Sequence, residues 1–164
     1  MVSDIDRAWA VLEQVPDPEI PVVSIRELGI LREINQRDGR LEVVVTPTYS
    51  GCPAMDQIGD DVRGAMAVAG LQGDVVTRLA PAWTTEWMTE TAKQKLRDYG
   101  IAPPHTTQAS DSVLRFQKAR PAEIACPHCG SANTTETSHF GSTACKALYK
   151  CLDCLEPFDY FKPY

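Results

Sequence analysis

The sequence predicts an α/β chain: a small two-layer α/β sandwich of order α-β-β-α-β-α over a mixed sheet, followed by a compact β module pinned by cysteines. Three observations carry this. Helical and strand periodicities alternate through the first hundred residues. A polar, proline-bearing stretch, Ala102 to Asp111 (APPHTTQASD), then interrupts them. Finally, five of the six cysteines follow residue 125, four of them as two CxxC pairs. The boundaries expected from this are 1–102 for the first domain, 103–112 for a linker and 113–164 for the cysteine-rich module.

Each element has a local cause. Ser3 can cap a helix running to about Gln14, with Ile5, Ala8, Trp9 and Leu12 on one face, and Pro16, Pro18 and Pro21 stop it. Ile30 to Ile34 and Leu41 to Thr46 read as strands joined through Asp38-Gly39, a hairpin-turn signal. Pro53 suits the first position of a helix whose stripe of Met55, Ile58, Val62 and Met66 ends near Gly70. Val75 to Leu79 is a third strand. Thr89 to Tyr99 is a last helix, closed by Gly100 and the prolines beyond it. Helices with one apolar stripe each must bury it against the sheet, which makes two layers.

Cys126-Pro127-His128-Cys129-Gly130 and Cys151-Leu152-Asp153-Cys154 are the two cysteine knuckles. A CxxC turn aims two thiolates at one point, and tetrahedral zinc takes four such ligands at about 2.3 Å. The spacer is slightly longer than the roughly 15–20 residues of the ribbon pattern and still within a hairpin's reach. The alternative, two unrelated thiol pairs or disulfides, explains the spacing less well. The module is therefore expected to be a zinc ribbon with Zn²⁺ on Cys126, Cys129, Cys151 and Cys154. A module of this size buries too little surface to fold unaided, and the metal supplies the deficit.

Composition narrows the function classes. A net charge of −6 and a pI of about 5.0 argue against a broad phosphate-binding surface, so nucleic acid is not an expected partner. No run of about eighteen apolar residues provides a membrane span. The N-terminus, Met1-Val2-Ser3-Asp4-Ile5-Asp6, lacks the basic and apolar regions of a secretory signal. Together with thiols and a zinc site, this reads as cytoplasmic.

Two segments of the first domain could carry chemistry. Cys52, in Thr46-Pro47-Thr48-Tyr49-Ser50-Gly51-Cys52-Pro53, follows a strand and opens a helix. Unpaired N–H groups there are expected to lower the thiol pKa and favour a thiolate for nucleophilic attack or metal binding, the alternative being a buried apolar thiol. Asp17-Pro18-Glu19-Ile20-Pro21 holds two carboxylates in a stiff turn. They serve as auxiliary hard ligands or proton carriers, or Asp17 merely caps the turn and Glu19 is exposed. Trp83 and Trp87 share a face if their segment is helical, as a partner surface or as core. Cys145 reads as a redox partner, a second metal ligand or, once four cysteines satisfy zinc, an ordinary buried thiol. His128 and His139 read as structural or exposed, and His105 says little. No Ser-His-Asp order, phosphate loop or dinucleotide fingerprint appears.

Taken together, the segments Asp17 to Pro21, Thr46 to Pro53, Pro81-Ala82-Trp83-Thr84-Thr85-Glu86-Trp87-Met88 and Phe140-Gly141-Ser142-Thr143-Ala144-Cys145-Lys146-Ala147-Leu148-Tyr149 resemble the PaaD family, accessory components of the phenylacetyl-CoA epoxidase system of aerobic phenylacetate degradation. Residues 1–102 resemble the wider SufT-like family of iron–sulfur assembly factors. The resemblance implies an accessory maturation factor, not an enzyme. The oxidation would belong to a di-iron oxygenase partner fed by a flavin and [2Fe–2S] reductase. It implies Cys52 as ligand of a transient iron–sulfur cluster or iron, with Asp17, Glu19 and Thr48 around it. One such cysteine per chain implies a second chain or an exogenous thiol, which favours a homodimer. A non-catalytic adaptor docking on the oxygenase or reductase subunits, and a thiol enzyme using Cys52, are the competing readings.

Overall fold

The structure, a computed structural model, describes residues 2–105 and 123–164. They form two compact units, residues 1–96 with Tyr164, and residues 97–163. The mixed α/β unit followed by a cysteine-pinned β module is the architecture the sequence predicts.

In the first unit, α1 spans Asp4–Leu12. Ser3 caps it: its Oγ accepts the Asp6 N–H at 3.1 Å, and the Asp6 carboxylate accepts the Ser3 N–H at 3.2 Å. This reciprocal pair satisfies two donors that a helix start would otherwise leave open. β1 (Leu31–Arg37) and β2 (Arg40–Val45) form an antiparallel hairpin. Its turn residues Asp38 and Gly39 both take positive φ, 49° and 78°, as a two-residue turn of matching twist requires. α2 (Ala54–Val68) follows, and β3 (Gly73–Thr77) then pairs parallel to β2. Gly73 is needed there, because a Cβ would collide with the Leu41 carbonyl. Leu12, Leu31, Val43, Ile58, Val62 and Met66 are at most 2% exposed and close the helices onto the sheet. Burial of each stabilises by about 1.5–3 kcal/mol.

The strand order β1-β2-β3 gathers the loops that matter at one end of the sheet. Leu31, which begins β1, pairs with Val45, which ends β2, and Val45 pairs with Thr77, which ends β3. The segment leading into β1 therefore meets the loops that leave β2 and β3. A 3₁₀ turn (Thr85–Trp87) and α3 (Glu90–Asp98) complete the elements before the second sheet. The segment around the two tryptophans is not the helix that would put both on one face. Trp83 is buried and its Nε1–H donates to the Leu28 carbonyl at 2.8 Å, whereas Trp87 is half-buried.

The second unit holds a four-stranded sheet of order β4-β7-β6-β5, with β4 Ile101–Ala102, β5 Thr134–Ser138, β6 Lys146–Cys151 and β7 Pro157–Phe161. β5, β6 and β7 are antiparallel, and β4 runs parallel to β7 through Ile101↔Asp159 and Ala102↔Tyr160. Ala102, Ile124, Ala147, Phe158 and Tyr160 pack with Cys126 and Cys151, so the module has an apolar core as well as a cysteine cluster. The Tyr160 hydroxyl meets His105 Nδ1 at 2.6 Å. Of the expected linker 103–112, residues 106–112 lie outside the described residues, as does the expected start of the module at 113. Among the described residues, no helix is long and apolar enough to cross a membrane.

Candidate metal centres

The four knuckle thiols converge. Sγ atoms of Cys126, Cys129, Cys151 and Cys154 all lie within 4.8 Å of one another, with Cys126 to Cys154 at 3.8 Å and Cys129 to Cys151 at 3.6 Å. None is in a disulfide. Four ligands tetrahedrally placed about 2.3 Å from one ion stand about 3.8 Å apart, so two of these separations already match a single tetrahedral metal, and the widest, at no more than 4.8 Å, needs only a small shift.

The backbone builds this geometry twice. The Gly130 N–H donates to the Cys126 carbonyl at 2.8 Å, closing the first turn, and the Cys154 N–H points at Cys151 Sγ at 3.4 Å in the second. In each turn the residue after the second cysteine has positive φ, 78° at Gly130 and 66° at Leu155. Asp153 ties the knuckles together: its carboxylate accepts from the Ser131 hydroxyl and, at 2.8 Å, from Asn133 Nδ2. Those two donors hold its pKa below the usual carboxylate range. The Cys154 and Asp153 N–H groups hold the Cys151 thiol down to about 7, while burial and the neighbouring thiols push Cys129 and Cys154 up against their own N–H donors. Asp153 was not among the residues singled out from sequence, although its place inside the CxxC was visible.

Cys52 lies in the loop between β2 and α2, half-buried. The structure corrects one expectation here. The thiol pKa is raised, not lowered: burial is the largest cause, and the charges of Glu19 and Asp17 add to it. The Ala54 N–H and the Tyr49 hydroxyl bond to the sulfur and oppose the shift without reversing it. The helix start offers fewer donors than its position suggests. Pro53, the N-cap of α2, has no N–H to offer.

The same electrostatics bring the acidic turn to the cysteine. Asp17 is 5% exposed, and its Oδ1 accepts the N–H groups of Glu19 at 3.0 Å and Ile20 at 2.8 Å, so it shapes the turn, and its charge also acts on the thiol. Glu19 is half-buried, and its charge acts on Cys52 more strongly than that of Asp17. Thr48 is buried in the same loop as Cys52, and Tyr49 is the sulfur's neighbour that sequence reading passed over, though it stood inside the quoted motif. Cys145 is buried in the second unit, with Thr143 Oγ1 3.0 Å from its sulfur.

An iron–sulfur assembly domain joined to a zinc ribbon is the class that the comparisons with known proteins give. Residues 5–78 match the iron–sulfur cluster assembly protein family, and residues 110–162 match the PaaD zinc beta ribbon domain. An Escherichia coli protein, provisionally named as one of the subunits of 1,2-phenylacetyl-CoA epoxidase, is 48% identical over 96% of this chain and 92% of its own. An Fe-S protein maturation auxiliary factor of Porphyromonas gingivalis is 36% identical over 52% of this chain and 83% of its own. The crystal structure of a Bacillus anthracis domain of unknown function, DUF59, superposes with a TM-score of 0.51 at 30% identity, covering 56% of this chain and 90% of that one. The chain belongs to the PaaD family.

Proposed function

We propose that this chain is a cytoplasmic, non-catalytic maturation factor of the phenylacetyl-CoA epoxidase system. In this reading it carries an iron–sulfur cluster or iron, as cargo, at Cys52 to the oxygenase or reductase subunits. The observation that carries the reading is the grouping of one soft thiol with two carboxylates, Glu19 and Asp17, around a half-buried position. Such a set is uncomfortable without a cation, because burial and like charge both oppose the thiolate. An arriving metal inverts that balance: it favours the thiolate through soft ligation and the carboxylates through charge. The raised thiol pKa also counts against a free nucleophile, so the thiol-enzyme reading gains no support. One cysteine leaves most of a cluster's coordination open, for a second copy of the chain or an exogenous thiol to complete. Open coordination suits a carrier that must release what it holds. Relatives named as Fe-S protein maturation auxiliary factors support the same reading.

In this reading the ribbon holds structural Zn²⁺ on Cys126, Cys129, Cys151 and Cys154, closed to substrate by four protein ligands. The test is made in cells lacking this chain. The epoxidase subunits should accumulate there with deficient iron and little activity. The wild-type chain should restore both, and Cys52→Ala should restore neither while keeping its own zinc. Epoxidase that reaches full metal content and full rate in cells that never held this chain overturns the proposal.

A further inference from the structure

Positive charge in the first unit is matched almost everywhere. Between residues 1 and 96 the sequence has nine Arg and Lys side chains, and seven of them reach a carboxylate within 3.5 Å. The two left over are Arg26 and Arg32. Among the described residues neither has an acid at ion-pair distance, although each is followed by one in sequence. Glu27 is taken by Lys95 at 2.6 Å, and Glu33 by Arg78 at 2.6 Å.

The two unpaired cations are neighbours, and both are braced. The Arg26 guanidinium carbon lies 4.5 Å from the Trp9 ring centroid, and that of Arg32 lies 3.5 Å from the centroid of Trp87. Burial, and then the nearby charge of Arg26, hold the Arg32 pKa below its usual value. The Trp87 platform is fixed from behind, because its backbone sits so close to Gly29 that a Cβ there would lie 2.6 Å from the Trp87 carbonyl oxygen. A stacked ring satisfies one face of a guanidinium and leaves its N–H edge free to bond; at Arg32 part of that edge, Nη1, reaches the Gly29 carbonyl at 3.5 Å. Arg26 raises the cost of the Arg32 charge, a repulsion that an anion between them would relieve, and a carboxylate matches a guanidinium fork with two parallel hydrogen bonds.

We infer that Arg26 and Arg32, braced on Trp9 and Trp87, form a docking site for the side-chain carboxylates of an acidic segment of a partner protein. Arginine and tryptophan are the residue types that dominate binding energy at protein interfaces. A net charge of −6 repels long polyanions such as nucleic acid, whereas a short acidic segment feels mainly the local pair. Half-buried indoles also offer apolar contact that an inorganic oxyanion cannot use. The inference does not rest on cofactor handling at Cys52.

The probe is fluorescein-labelled hexaglutamate, its binding to the full chain read by fluorescence anisotropy, with hexaglutamine as the neutral control. The wild-type chain should bind hexaglutamate with a Kd of about 1 mM or tighter at low salt, weakening as salt screens the pair. Arg26→Gln should weaken binding at least about fivefold and the double variant Arg26→Gln/Arg32→Gln at least about tenfold, as expected for charge pairs at an interface. Arg26 is exposed, so its variant keeps the fold even if Arg32→Gln does not. Arg63→Gln, which removes the same charge from a cation already paired with Asp60, should change nothing. No binding of hexaglutamate, equal binding of hexaglutamine, an effect of Arg63→Gln equal to that of Arg26→Gln, or full displacement by equimolar inorganic phosphate overturns the proposal.

Discussion

Gly130 and Leu155 occupy the same place in the two knuckles, each directly after the second cysteine, at φ 78° and 66°. This near-symmetry can be measured. A Cβ added at Gly130 would meet nothing within 4 Å, so the effect of Gly130→Ala is torsional and not steric. The left-handed region is unfavourable for a residue with a Cβ by about 1–2 kcal/mol. In the proposed reading the module's folding and zinc binding are one equilibrium, so the loss should appear as a drop in apparent zinc affinity of about 5–30-fold. Leu155 already bears that strain, and at 63% exposure its side chain buries little. Leu155→Gly relieves the strain but frees the unfolded chain by about 0.5–1 kcal/mol. A net gain of about 0–1.5 kcal/mol remains, up to about tenfold tighter affinity. Competition against a zinc-chelating dye at neutral pH reads both variants. Gly130→Ala holding zinc as tightly as wild type, or Leu155→Gly releasing it more readily, would refute the assignment of strain to these two residues.

Cys129→Ser should leave the second unit unfolded and without zinc, because apparent binding energies of about 10–16 kcal/mol for four-ligand sites are also folding energy; circular dichroism and metal analysis check this. Alkylation of Cys52 at neutral pH, followed by peptide mass spectrometry, should be slower than that of a free thiol. Glu19→Gln should speed it, since Glu19 is the stronger of the two opposing charges. The sign for stability follows: a thiol whose pKa is raised by folding stabilises below its unfolded value, about 8.5, and that contribution is lost as pH rises through the folded value. Cys52→Ser should therefore flatten the fall in stability on the alkaline side of pH 8.5. Trp83→Phe leaves the Leu28 carbonyl without its indole donor and should cost about 1–3 kcal/mol in urea unfolding, with the slope unchanged.

Much of the fold was legible because single residues specify it. Asp38-Gly39 announced the hairpin, the spacing of Ile58, Val62 and Met66 announced α2, and Ser3 announced the start of α1. Strand ends were harder: the third strand lies at Gly73–Thr77, earlier than the apolar run Val75 to Leu79 suggested, because pairing with β2 sets its limits. Two-residue β4 has no period to detect. The tryptophan segment departs from a helix because Trp83 is tied to Leu28 across the fold, a contact no local pattern announces. At Cys52 the position was readable and the sign of its pKa shift was not. Burial and the approach of Glu19 and Asp17 are tertiary facts, and they outweigh the helix-start donors that the local sequence displays.

The register of the three-stranded sheet also separates what holds the first unit together from what it handles. The loops bearing Asp17, Glu19 and Cys52 leave one end, while the Asp38-Gly39 turn, exposed and bonded through its own hairpin, closes the other. Exposed turns accept inserted sequence with little loss. The 38–39 turn is thus a natural handle: a fluorophore or affinity tag placed there would report on the chain, or immobilise it, from the side opposite its chemistry. Loop grafts between relatives, made at residues 46–53 alone, would then test the proposed cargo site on one unchanged scaffold.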